Sequence, residues 1–149
     1  QVFYDANRRL TIELEDIFDK FENDIEKKEL LIEADQKIDE IKESCLDKSY
    51  NELGLFCDIM KTICYKLSSV KDDSFSVVVV GILFNSAEFL KSELNQVRKG
   101  IGSSIRDNPN KALFNRFKWL NTKFNSLKET KENDPKNISL TELMEFLRI

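Results

Sequence analysis

Four glycines and two prolines are all that interrupt the 149 residues of this chain, and neither type occurs from Asp5 to Cys45. All-β folds need many tight turns, and tight turns draw on these residues. Such sparse punctuation predicts a few long elements with short connections. The apolar spacing makes those elements helices. Leu10, Leu14, Ile17, Phe21 and Ile25 step by four, three, four and four, which is one helix face. Leu31, Ile32, Ile38 and Ile41 form a second stripe out of register with the first. That slip predicts either one long curved helix or two joined near Lys27–Glu29.

Helix start and stop signals divide the rest. Ser49-Tyr50-Asn51-Glu52 has the Ser-x-x-Glu spacing of a capping box. Leu53, Phe56, Cys57, Met60, Ile63, Cys64 and Leu67 follow it at helical spacing. Asp72 or Asp73 is positioned to cap a further helix that ends at Gly100 and Gly102. Asn108-Pro109 predicts another start, with proline in the first turn, where its missing N–H costs nothing. Leu113, Phe117, Leu120, Phe124 and Leu127 line that helix. Asp134-Pro135 interrupts the chain, and Ser139-Leu140-Thr141-Glu142 opens a short last helix bearing Leu143, Met144 and Leu147.

The most apolar run, "SFSVVVVGILF" from Ser74 to Phe84, admits three readings. It spans about ten residues before Asn85 and Glu88, against the roughly 20 that a membrane-spanning helix needs. No phosphate-binding Gly-x-x-x-x-Gly-Lys pattern follows it. Its β-branched residues favour a strand locally, but a lone strand has nothing to pair with here. Ala87, Leu90, Leu94 and Val97 continue it as a helix, apolar all round in its first half and therefore expected to be enclosed. The fold predicted is all-α: one domain over residues 1–149, a compact bundle of four to six helices with a buried central helix near residues 74–99. Gly81 is expected to mark a close helix–helix crossing.

There is no histidine, which removes Ser-His-Asp and Cys-His catalysis and His-based zinc sites. No catalytic residue, metal site or cofactor is assigned, and the protein is expected not to be an enzyme. Cys45, Cys57 and Cys64 make an odd count. Cys57 and Cys64 lie two turns apart on one helix, roughly 10 Å, too far to bond each other there. The cysteines read either as three buried thiols in a reducing compartment or as one disulfide from Cys45 to Cys57 or Cys64 in a secreted protein. Asn137-Ile138-Ser139 is a glycosylation acceptor pattern, meaningful only if the chain is secreted. The chain opens at Gln1 without an apolar leader, which fits a removed signal peptide or a trimmed chain. Secretion is the expectation, with a cytoplasmic location as the alternative.

Charge is unevenly spread. Residues 1–48 hold 15 acids and 8 bases, whereas residues 98–131 hold 2 acids and 9 bases. The acidic first helix and the basic later helix are expected to be neighbours or to be solvated separately; recognition of an acidic protein or anionic surface is the other reading. Nucleic acid is disfavoured, because Phe117 and Phe124 lie on the core stripe and the pI is near 5.1. Trp119 sits about 120° off that stripe at 100° per residue. It either packs under the C-terminal helix or anchors a partner. Arg116, Lys118, Trp119 and Lys123 are therefore the candidate binding residues, with Lys118 and Lys123 expected to be exposed. The function expected is a non-enzymatic protein-binding module, in the form of a secreted effector acting on another organism's proteins. The alternative is a carrier of an apolar ligand or lipid in a cavity between helices, lined by some of the eleven phenylalanines.

Overall fold

Six helices lie among the described residues, and every regular element there is helical. The computed structural model describes residues 2–100, 105, 110–127 and 139–147. The helices are α1 (Val2–Asn23), α2 (Glu29–Asp47), α3 (Asn51–Leu67), α4 (Asp73–Arg98), α5 (Lys111–Ser126) and α6 (Leu140–Leu147). The all-α bundle expected from the sequence is thus present.

α1 packs on α2, α2 on α3, α3 on α4, and α4 returns to α1, closing a four-helix arrangement. α5 lies against α4 and α6 against α3. Ion pairs fix the directions. Lys42–Asp58 and Lys61–Asp39 run α2 and α3 antiparallel. Lys91–Glu15, together with the contact of Phe18 and Phe84, does the same for α4 and α1.

The apolar stripes point inward except at Ile32, which the second stripe included and which is exposed. Leu10, Leu14, Ile17 and Phe21 of α1 are buried, as are Leu31, Ile38 and Ile41 of α2. The stripe of α5 (Leu113, Phe117, Leu120 and Phe124) is buried too. Phe56 of α3 is the hub of an aromatic cluster, with ring centroids 5.1 Å from Phe89, 5.9 Å from Phe117 and 6.4 Å from Phe114. Tilted and edge-on arrangements at such distances are each worth about 0.5–1.5 kcal/mol beyond the area they bury.

Several terminators differ from expectation. α1 and α2 are two helices, broken at residues 24–28. Ser49 does not cap α3. It adopts a left-handed backbone (φ 63°) just past the end of α2, where its N–H donates to the Leu46 carbonyl and that of Tyr50 to the Cys45 carbonyl. This 5→2 and 6→1 pair is a Schellman ending, and Tyr50 holds the N-cap position of α3 without a side-chain bond. Asp72 caps α4 by accepting from the Phe75 N–H at 3.0 Å. α5 begins two residues later than Asn108-Pro109 suggests, because Asn110 accepts from the Leu113 N–H. Ser139 accepts from the Glu142 N–H and opens α6 as expected. Asn108, Pro109, Asp134, Pro135 and Asn137 lie outside the described residues.

The helix expected near residues 74–99 is α4, and its inner face (Val79, Val80, Leu83, Ala87, Leu90 and Leu94) is in the core. It is not enclosed on every side: Val77 is 44% and Val78 46% exposed. Among the described residues α4 alone is long and apolar enough to cross a membrane; 44% of its apolar span is buried in the bundle, and Lys91 pairs with Glu15. Gly81 is not a crossing between helices of this chain, because a Cβ there would meet no atom within 4 Å. The close approach is at Gly54, whose Cβ position lies 2.8 Å from Leu46 Cδ2.

Candidate functional site

An open groove of about 530 Å³ runs over the outer face of α4. Its lining comes from three helices: Glu22 of α1, Val78, Gly81, Ile82, Phe84, Asn85 and Glu88 of α4, and Arg116 and Trp119 of α5. Helical spacing explains why α4 forms the floor. Phe84 and Lys91 turn toward α1, where they meet Phe18 and Glu15. Phe75 and Phe89 turn the other way, toward Trp119 and Phe114 of α5. Between them Ser74, Val77, Val78, Gly81, Asn85 and Glu88 repeat at i, i+3, i+4, i+7, i+11 and i+14. That series is a helix-packing seam facing outward.

Trp119 forms the α5 edge. Its ring lies edge-on to Phe75 at 6.0 Å, with 41% of the residue exposed, and Lys123 Nζ stands 5.7 Å above it. The ring therefore packs against the start of α4 and not under the C-terminal helix. Of the four residues singled out from sequence, the fold brings Arg116, Trp119 and Lys123 together at this edge. Lys118 is exposed but is not part of the groove lining.

The rim is charged on both sides. Glu22 and Glu88 are exposed, as is Arg116, and none of the three side chains has a hydrogen bond or ion pair among the described residues. Elsewhere on α1, Glu13 pairs with Lys37 and Glu15 with Lys91, while Asp5, Asp16 and Asp19 have no ion pair among the described residues. No ion pair among the described residues joins the acidic α1 and α2 to the basic α5, so α5 keeps its charge for solvent or a partner.

The remaining polar groups have internal roles. Thr11, Thr62 and Ser86 donate to carbonyls of their own helices. Cys45, Cys57 and Cys64 are free thiols and buried. Burial pushes Cys45 up to about 12, and Cys57 and Cys64 well above the usual thiol range, so none is a ready nucleophile. No group of three His, Cys, Asp or Glu among the described residues is arranged to hold a metal ion.

Comparison with family models, curated proteins and solved structures found no match for this chain.

The α4 floor was missed in the sequence because the four valines read as uniformly core. Ser74, Gly81, Asn85 and Glu88 recur on one side of the helix and were the available signal.

Proposed function

We propose that the protein is a non-enzymatic protein-binding module whose contact surface is the groove between α1, α4 and α5. The supporting observation is the outward seam of α4. Among the described residues Val77, Val78 and Gly81 are exposed, on the same side of the bundle as Trp119. Contiguous apolar surface ringed by charge is the usual composition of an interaction site. Trp119 and Arg116 belong to the residue types that most often anchor interfaces.

A photo-reactive side chain at Val78 tests this reading. In host fluid or cell lysate it should form a discrete protein adduct that Gly81→Leu removes. Equal labelling from a control position on α2, Glu40, would sink the reading. Action outside the producing cell, on another organism's proteins, belongs to the same proposal and rests on the Asn137 acceptor pattern alone, because the three cysteines are free thiols in the structure and give no support to it. A thiol count on denatured, unreduced protein bears on it. Three free thiols are expected from the structure; a count of one would show a disulfide and support an oxidising compartment.

A further inference from the structure

We propose that the occupant of the groove is an amphipathic α-helix of another protein, crossing α4 at Gly81, with cationic side chains along one edge and anionic ones along the other. This rests on the reading of the groove as a protein contact surface and adds the chemistry of the partner.

Three observations carry it. The first is shape. The floor has the periodicity of a helix-packing seam and not of a flat patch, and at its middle a Cβ on Gly81 would meet nothing within 4 Å. A glycine at that point lets a second helix backbone approach closely.

The second is charge. Glu22 and Glu88 stand on the α1 side and the stripe itself, Arg116 on the α5 side beside Trp119, and all three lack an internal partner among the described residues. A uniformly basic helix would oppose Arg116, and a uniformly acidic one would oppose both glutamates. A helix with one edge of each sign satisfies both walls in one of its two directions.

The third concerns the competing occupant, a second copy of this chain. A two-fold axis across α4 would set Glu22 against Glu22 and Arg116 against Arg116. An axis along α4 would bring Glu22 over Arg116 on both sides but would set Glu88 against Glu88 at the centre, because Glu88 lies seven residues from Gly81, within about 20° on the helix at 100° per residue. Like charges face each other in both arrangements, whereas a different chain is free to avoid this.

Trp119 is the sole tryptophan, so its fluorescence reads the groove directly. The probes are four synthetic 21-residue helices sharing one Ala/Leu stripe. Their edges are Lys on one side and Glu on the other, Lys on both, Glu on both, or Gln on both. The Lys/Glu helix should shift Trp119 emission to the blue and bind at least tenfold tighter than the other three. Glu22→Lys with Glu88→Lys should erase that preference. Gly81→Leu should abolish binding of all four without lowering the melting temperature. Equal binding of the Gln-edged helix would overturn the proposed charge chemistry. Binding that survives Gly81→Leu would overturn the crossing point. A dimer in sedimentation that Gly81→Leu dissociates would replace the foreign helix with a second copy. If no probe binds while the Val78 adduct still forms, the partner chemistry fails and the module reading stands; if neither appears, both fall.

Discussion

α3 and α4 are both apolar helices, and each contains one glycine, yet they occupy the bundle in opposite ways. α3 is covered by α2, α4 and α6, and its Phe56 also meets rings of α5. Even Thr62 and Lys66 are buried there, the latter with its amine over the Phe124 ring. α4 has a core face of comparable character but leaves a strip of its surface uncovered. Gly54 is filled by Leu46, whereas Gly81 faces open space. Apolar content therefore does not decide which helix is central. What decides it is how completely the neighbours cover it: each helix packs on three others, but α3 also meets α5 through Phe56, whereas α4 keeps an open strip.

The largest expected effect tests that ranking. Phe56→Ala should destabilise the fold by about 3–5 kcal/mol, the usual loss for a fully buried phenylalanine. Val78→Ala on the open strip of α4 should cost under about 0.5 kcal/mol. Urea denaturation of the two variants measures the difference. Similar losses would mean that the α4 strip is covered in solution.

The glycines give the next contrast. Gly81→Ala gains helix propensity without a clash and should stabilise by about 0.5–1 kcal/mol. Gly54→Ala meets Leu46 and should show no such gain until Leu46→Ala makes room. Thermal melts of the two single variants and the double variant read this directly. A destabilised Gly81→Ala would place an internal contact where the structure has none.

The smallest effect is a pH dependence confined to the α3 side. Burial raises the Asp35 carboxyl above its ordinary range, and Asp39 adds to this while Lys61 and Lys42 oppose it. A raised folded pKa means that stability is greatest with the group protonated and declines as pH rises through that pKa. Asp35→Asn should therefore melt slightly higher than the parent at pH 7, with the gap closing in acid. A gap that widens in acid would show that the nearby lysines outweigh burial.

The parts of this fold that could be read from the chain are those set by near neighbours in sequence. The stripes Leu10–Phe21 and Leu113–Phe124 have one helical period and one buried face, so they place α1 and α5 without ambiguity. Ser49 was misread because a serine that caps the next helix and a serine in the left-handed position ending the previous one have the same spacing to Glu52. The candidate site was half legible. Trp119 stood off its stripe at a computable angle, and Arg116 and Lys123 came with it. Val77, Val78 and Gly81 could not be placed, because their exposure depends on whether another helix crosses them. That is a property of topology, which local propensity does not contain.

One contact bears on how fast the fold comes apart. Lys28, in the turn between α1 and α2, donates to the Leu67 carbonyl at 3.5 Å and the Val70 carbonyl at 3.0 Å, beside the Phe21 ring. These partners stand 39 and 42 residues away, at the end of α3, so the bond requires α2 and α3 to have paired first. A contact between positions so far apart in sequence is expected to form after the rate-limiting step of folding and so to act chiefly on unfolding. Lys28→Met should therefore leave the refolding limb of a chevron unchanged and speed unfolding several-fold, about 1 kcal/mol for a charge-assisted contact at a half-buried site. On that outcome, the turn between the first two helices would be a latch on the lifetime of the native state.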